Sequence, residues 1–244
     1  IDEVLDAIDW AGPGGGEDTA SSFWTLDPID GTKGFLRGEQ YAVSLAWVEA
    51  GRPVVGVLGC PNLSADFARD FSKPDAHGLI VSAVAGKGAF EEPADRASGE
   101  PAPLRRASRA PGDAARICQS VEKEHTNHDS TQQVLERLGI ASLPVQLDSQ
   151  AKYAVVARRQ ADAYLRMPTR PGWVERIWDH AAGWLIAREA GARVTDIRGA
   201  ELDFGRGRGL EANLGVIAAE PGLHARLIRA IDELGLARAA PERA

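Results

Sequence analysis

Cysteine is scarce in this chain, since only Cys60 and Cys118 occur among its 244 residues. Two thiols are too few for a scaffold held by disulfides, and such scarcity is typical of a reducing compartment. Each thiol is better explained as a small buried apolar residue. The sequence leaves open whether the compartment is the cytoplasm or an organelle.

Long uncharged apolar runs are also missing, and none approaches the roughly 18–20 residues that a membrane span needs. Basic residues are outnumbered, because 28 Lys and Arg face 35 Asp and Glu, which gives a net charge of −7. These features argue against a membrane partner and against bulk nucleic-acid binding, but they allow a local basic pocket for one phosphate group. We therefore expect a small-molecule substrate as the partner and a monomer as the assembly.

The first half of the chain is rich in hairpin signals, which indicate an α+β unit. Apolar residues at helical spacing predict a helix over 1–8, and a loop follows over 11–22. Strands are expected over 23–26, 41–49, 53–58 and 78–85, with a turn at 86–88 and a further short strand. Residues 91–113 lack periodicity and are rich in Pro, Ala, Arg and Gly. We interpret them as an exposed connection and place a domain boundary there, between 1–112 and 113–244.

The second half alternates strand and helix patterns, which indicates a layered α/β unit and makes the whole chain α/β in class. Helices are expected over 130–138, 149–160, 180–190 and 224–234, and Gly191 is well placed to end the third of them. Strands are expected over 116–121, 143–147, 163–167, 193–197 and 214–218.

The sharpest local signal is the run WTLDPIDGTKGF over 24–35. Asp27 and Asp30 lie three residues apart around a turn, so both can point at one locus, and carboxylates of this kind suit Mg²⁺. Gly31 allows a tight turn, Thr32 can begin a helix, and their amides would face an anion. The alternative is an Asx-type turn that only reverses the chain, and for this motif alone that alternative is favoured.

A second signal is the run IWDHAAG over 177–183. Its Asp179 stands at a predicted helix start, and the small residues after it let a ligand or a backbone approach closely. Taken alone, the motif is better explained by Asp179 as a helix N-cap.

Together the two motifs resemble the signature of the inositol monophosphatase superfamily, a group of Mg²⁺-dependent, lithium-sensitive phosphatases. The resemblance covers about 8–219 and implies a layered α/β/α/β/α sandwich. It is closest to the 3'(2'),5'-bisphosphate nucleotidase branch, which implies hydrolysis of the 3'-phosphate of adenosine 3',5'-bisphosphate, and of its sulfated relative. The segments that carry this branch resemblance are KGFLRGEQ over 33–40, GCPNL over 59–63, SVEK over 120–123 with His125 and residues 128–129, LDSQAKY over 147–153 and YLR over 164–166.

The resemblance also implies a metal site with two or three Mg²⁺ ions. Asp27 and Asp30 are then carboxylate ligands, and the Ile29 carbonyl is a further ligand. Asp179 is implied as the third carboxylate, between the metal and the scissile phosphate.

Substrate contacts are implied in the same way. The Thr32 hydroxyl would orient and deprotonate the attacking water, and the Gly31 and Thr32 amides would hold the phosphate, with Asp179 beside it. The implied nucleotide-binding set is His125, Ser149, Lys152 and Arg166. Each has an ordinary alternative: His125 as a surface histidine, Lys152 as a solvated helix charge, and Arg166 as the partner of an Asp or Glu.

One part of the family pattern is missing from the chain. We find neither the upstream Asp that pairs with the threonine nor the Gly-Glu-Glu-type motif that supplies a ligating Glu. Glu17, in the run GGED over 15–18, lies ten positions before Asp27, and we interpret it as a solvated loop acid. The chain also opens at Ile1 and has Met167 as its only methionine. We therefore interpret it as N-terminally truncated, with an uncovered core face, weak metal binding and slow or no turnover.

Two other functions stay open. One is an inositol (poly)phosphate 1-phosphatase of the same superfamily. His125 and the SQAK run over 149–152 fit a nucleotide substrate better than an inositol phosphate. The other is a non-catalytic nucleotide or phosphate sensor, in which the pocket survives and the metal site does not.

Overall fold

The computed structural model describes residues 22–95, 101–105, 107, 114–122, 127–170 and 172–237. The predicted helix over 1–8, most of the predicted loop over 11–22, Glu17 and His125 therefore lie outside the described residues. Among the helices of the described part, none combines the length and the apolarity that crossing a membrane requires.

The first sheet has six antiparallel strands in the order in which they occur along the chain. Its second and third strands form the predicted hairpin, in which Ala50 and Gly51 take positive φ angles of 47° and 72° at the turn. A short helix, α1 (Thr32–Arg37), follows the first strand. The strands are β1 (Phe23–Asp30), β2 (Ala42–Glu49), β3 (Arg52–Cys60), β4 (Leu79–Val84), β5 (Gly88–Pro93) and β6 (Ala102–Pro103).

The second sheet has five strands in the order β10-β11-β9-β7-β8, in which β7 is parallel to both of its neighbours and the other pairs are antiparallel. Its strands are β7 (Ala115–Gln119), β8 (Ser142–Gln146), β9 (Ala163–Arg166), β10 (Arg193–Thr195) and β11 (Val216–Ala219). The helices of this half are α2 (His128–Arg137), α3 (Ala151–Ala157), α4 (Ala181–Glu189) and α5 (Pro221–Glu233), with a single 3₁₀ turn over Ile177–Asp179.

Two apolar clusters hold the layers together. The larger one joins the inner face of the first sheet to α3, α4 and the second sheet, and it includes Leu58, Tyr153 and Ile186. The smaller one packs α2 and α5 on the opposite face of the second sheet, with Val134 and Ile231 among its members. The described residues thus form the layers sheet, helices, sheet, helices, as an α/β sandwich.

The outer face of the first sheet is apolar and open in the described structure. Trp24 and Leu26 are 56% and 52% exposed, and they lie opposite Trp47 and Leu45 on β2. Trp24 and Trp47 contact each other, with ring centroids 5.0 Å apart.

Several predicted bounds differ from the structure, including that of the last helix, which begins at Pro221 rather than at 224, and three differences concern the site or the predicted boundary. The strand expected over 23–26 continues to Asp30, because β1 goes on pairing with β2 beyond an irregular register. The helix expected over 149–160 is shorter and spans only Ala151–Ala157. Residues 91–113 are not wholly an exposed connection, since β5 continues to Pro93 and Glu91 is buried against Arg158 and Arg105, at 2.9 and 2.8 Å. The domain boundary itself stays a prediction.

Candidate active site

The end of β1 brings two carboxylates to one locus. In a regular strand, residues three apart point to opposite faces. The register of β1 on β2 shifts between Asp27 and Asp30, which breaks this alternation. Oxygens of both carboxylates then lie within 4.8 Å of each other and of an Asp179 oxygen. Asp27 Oδ1 also accepts the Ile29 N–H at 3.1 Å, so the Asx-type turn is present together with the cluster.

Asp179 closes the cluster from the other half of the chain. It is the last residue of the 3₁₀ turn, and α4 begins two residues later with His180 as its N-cap and without any side-chain cap. The N-cap alternative for Asp179 is therefore wrong, because its carboxylate is directed toward Asp27 and Asp30 instead.

Gly31 connects this cluster to α1. Its φ of +82° is in the left-handed region, which favours glycine. A Cβ at this position would lie 2.8 Å from Ser149 Cβ, so the turn can approach Ser149 only without a side chain. The next residue, Thr32, donates its hydroxyl to the Ile29 carbonyl oxygen at 3.1 Å. The hydroxyl and the carbonyl that the resemblance implied as site groups are thus direct neighbours.

The cluster is electrostatically unfavourable without a cation. Burial raises the pKa of Asp30 to about 6, with the Lys152 charge opposing and the Asp27 charge adding to the rise. Burial and the Asp30 charge raise the pKa of Asp179 to about 7. Burial also raises the pKa of Asp27. Three partly buried carboxylates with raised pKa values fit a divalent cation, whose charge would favour their ionised forms.

Lys152 and Ser149 lie beside the cluster, at the start of α3. Lys152 is only 3% exposed, so the alternative of a solvated helix charge is wrong. Its ammonium donates to the Leu147 carbonyl at 3.3 Å and lies 5.4 Å from the centre of the Tyr164 ring. Ser149 takes a φ of +66°, and its hydroxyl accepts the Ala151 N–H at 3.1 Å.

Arg166 is paired with an acid that the sequence analysis missed. Its Nε donates to Glu175 Oε1 at 2.8 Å, and a terminal nitrogen lies 2.7 Å from Glu175 Oε2 and 3.9 Å from Asp179. Although burial opposes ionisation, the Arg166 charge, helped by the nearby His180 ring, holds the pKa of Glu175 below its ordinary value. The predicted pairing of Arg166 with an acid is therefore confirmed, while its contact with a nucleotide stays a prediction.

His180 extends this network away from the cluster. Its Nδ1 lies 2.8 Å from the Tyr153 hydroxyl, and its Nε2 lies 3.5 Å from Glu175 Oε2. Burial lowers the pKa of His180, which favours the neutral ring. The available sequence signal was the spacing of Glu175 and His180 around Asp179, in the run ERIWDH.

A group of ion pairs connects three of the sequence motifs, namely the runs over 33–40, 120–123 and 147–153. Arg37, on α1, binds Glu39 and Glu122 at 2.6 and 2.7 Å and also binds Asp148. Lys33 binds Glu122 at 3.0 Å. These contacts join α1 to the segments that follow β7 and β8, and so hold the Asp30 turn against the second sheet.

Comparisons with known proteins identify the family and the relatives of this chain. The model of the inositol monophosphatase family matches residues 6–236. A 3'(2'),5'-bisphosphate nucleotidase of Schizosaccharomyces pombe is 44% identical over 94% of this chain and 64% of its own length. That of Emericella nidulans is also 44% identical, over 95% of this chain and 68% of its own length. The chain therefore spans about two thirds of these curated relatives.

The fold has solved counterparts as well. The crystal structure of CysQ from Bacteroides thetaiotaomicron, a bacterial member of the inositol monophosphatase family, superposes with a TM-score of 0.64 at 23% identity. The superposition covers 90% of this chain and 81% of CysQ. The match of the family model over nearly the whole chain, together with this shared fold, shows that the chain belongs to the inositol monophosphatase family.

Proposed function

We propose that this chain carries a Mg²⁺-dependent phosphatase site that converts adenosine 3',5'-bisphosphate and water to AMP and phosphate, with the sulfated relative as a further substrate. The observation that carries the proposal is the meeting of Asp27, Asp30 and Asp179. The family is metal-dependent, and hard carboxylate oxygens are the ligands that Mg²⁺ takes beside a phosphate substrate. The curated relatives at 40–44% identity bear the name of this nucleotidase activity.

When bound, a divalent cation would supply positive charge at the scissile phosphate and would favour ionisation of a water beside it. Asp27, Asp30 and Asp179 would hold that cation, and the Ile29 carbonyl would be a further protein ligand. Thr32 donates its hydroxyl hydrogen to Ile29, which leaves the oxygen lone pairs to accept a hydrogen bond from the attacking water.

The remaining groups position charge, as phosphoryl transfer requires. In the proposal the amides of Gly31 and Thr32 donate to phosphate oxygens. Ser149, Lys152 and Arg166 contact the nucleotide in the proposal. His125 belongs to this set only by the family resemblance, since it lies outside the described residues. The buried charges of Lys152 and Arg166 support this assignment, because both act on Asp30 and so lie near the acid cluster.

The test is phosphate release from adenosine 3',5'-bisphosphate and from inositol 1-phosphate at matched concentrations, with the full-length S. pombe relative as the positive control. We expect slow Mg²⁺-dependent release from the nucleotide, well below that of the S. pombe relative because of the weak metal binding expected from the sequence, and we expect EDTA to abolish it. Faster release from inositol 1-phosphate would favour the inositol phosphatase. No release, with retained nucleotide binding, would favour the sensor.

Lithium provides an independent arm of the same assay. Li⁺ is a small, hard cation that can compete for carboxylate oxygens, and lithium sensitivity is an expectation from the family resemblance. We expect phosphate release to fall at millimolar Li⁺ but not at equal Na⁺. Equal effects of the two salts would remove this expectation.

A further inference from the structure

Gln150 connects Asp30, at the end of β1, to the chain segment that contains Asp179. It is the residue before α3 and is only 2% exposed. Its backbone N–H donates to Asp30 Oδ2 at 2.6 Å, and this hydrogen bond orients the Asp30 carboxylate. The positive φ of Ser149 turns the chain immediately before this contact.

The Gln150 side chain bonds the backbone on either side of Asp179. Its Nε2 donates to the Ser44 hydroxyl on β2 at 2.6 Å and to the Trp178 carbonyl at 2.7 Å. Its Oε1 accepts the Gly183 N–H, in the first turn of α4, at 3.0 Å. One residue therefore bonds Asp30 directly and holds the chain on both sides of Asp179.

The amide suits this place for two physical reasons. It offers two donors and an acceptor without adding a fourth negative charge beside three carboxylates. A buried polar group whose hydrogen bonds are all made also holds one geometry. A carboxylate in place of this amide would turn lone pairs toward the Trp178 carbonyl, and an apolar side chain would leave that carbonyl and the Gly183 N–H without this partner.

We propose that Gln150 is a positioning residue that sets the placement of Asp179 relative to Asp30, and hence the affinity of the cluster for a divalent cation. The inference rests on the proposed function, since it concerns the cation site of that reaction. Residues that orient metal ligands typically change metal affinity by about 10–100-fold when they are removed.

The test is a Mn²⁺ titration of the whole chain by electron paramagnetic resonance, with thermal unfolding measured on the same samples. Gln150→Met removes the amide at similar length, and Gln150→Asn keeps an amide that is one methylene too short, so either variant that folds decides the matter. The matched control is Gln160→Met, because Gln160 is also a buried amide but accepts from Arg158, at 2.7 Å, rather than bonding the acid cluster.

We expect both Gln150 variants to bind Mn²⁺ about tenfold or more weakly, while the Gln160→Met variant loses thermal stability but keeps its affinity within about twofold. Unchanged Mn²⁺ affinity in a folded Gln150 variant would overturn the inference while leaving the proposed function intact. Absence of saturable Mn²⁺ binding by the unaltered chain would overturn the proposed function, and the inference with it.

Discussion

In the acid cluster, the closeness of the carboxylates favours cation binding but disfavours their ionisation when no cation is bound. Asp27, Asp30 and Asp179 lie close enough to share a cation, and this closeness makes their ionised forms costly when no cation is bound. The pKa of Asp179 is raised in the fold to about 7, from an ordinary value of 3.8. Between these two pH values the unfolded chain loses the Asp179 proton while the folded protein keeps it, so the cation-free protein loses stability as pH rises through this range.

The Asp179→Asn substitution should affect phosphate release and cation-free stability in opposite directions. We expect the variant to lose phosphate release, because one of three carboxylates is gone. In EDTA at pH 8 we expect it to be more stable than the unaltered chain, by on the order of 2 kcal/mol, because a disfavoured charge is removed. Phosphate release and thermal unfolding measure the two effects. Unchanged turnover would show that Asp179 is not the third ligand.

Gly31, the N-cap of α1, offers a second prediction at this scale, and Gly38, the C-cap of the same helix, offers the control. Gly31→Ala meets both a left-handed φ and a contact of 2.8 Å with Ser149, whereas Gly38, at φ +71°, has nothing within 4 Å of its would-be Cβ. The left-handed conformation costs about 1–2 kcal/mol for a residue with a Cβ. We expect Gly38→Ala to show that cost alone and Gly31→Ala to exceed it and reduce turnover. Equal losses in urea unfolding would contradict the account.

At the scale of whole elements, local patterns predict well what local contacts determine. The β2–β3 hairpin lies where its turn residues indicate, and α4 ends before Gly191, whose φ is +90°. The extension of β1 to Asp30 and the burial of Glu91 depend instead on partners far away in the chain, such as Arg158. Local sequence patterns do not predict such distant partners.

The candidate site follows the same division. The two aspartate motifs are visible in the sequence, and the structure brings their carboxylates together, although the catalytic roles stay predictions. Glu175 and Gln150 were missed because what they do depends on Arg166 and on the Trp178 carbonyl.

The last helix, α5, contains a group whose titration should control stability in acid. His224 lies buried in α5, with its Nε2 2.8 Å from the Thr195 hydroxyl. Burial, followed by the Arg193 charge, lowers the pKa of His224 to about 4, while Glu201 opposes this shift. A histidine with a depressed pKa is neutral in the fold but protonates in the unfolded chain, so stability is lost as pH falls from about 6.5 toward 4.

We expect His224→Gln to remove part of this loss. The histidine accounts for up to about 3 kcal/mol between pH 6.5 and pH 4, and the variant should show a correspondingly flatter curve of unfolding free energy against pH. Urea unfolding at half-unit pH steps measures both curves. Parallel curves for the two proteins would contradict this assignment.

At the scale of the whole molecule, the two sheets share one apolar cluster. Helix α4 packs on β2, β3 and β4 of the first sheet, and it also packs on α3, which contacts the second sheet. The candidate site lies at this junction, since Asp30 belongs to β1 and Asp179 precedes α4.

The shared cluster leads us to expect a single unfolding transition rather than one for each half. Tryptophan fluorescence reports on both halves, through Trp47 on β2 and Trp184 on α4, and far-ultraviolet circular dichroism reports on the helices of the second half. Coincident melting curves are expected. Two separated transitions would contradict the account and favour independent domains at the predicted boundary.

A metal-dependent phosphatase site in this chain is best tested by the initial rate of phosphate release from adenosine 3',5'-bisphosphate as a function of Mg²⁺ concentration, for this chain and for Asp179→Asn. We predict a slow rate that rises with Mg²⁺ concentration in the unaltered chain, and no Mg²⁺-dependent release in the variant. Release without Mg²⁺, or the same Mg²⁺ dependence in both proteins, would contradict a metal site built from Asp27, Asp30 and Asp179.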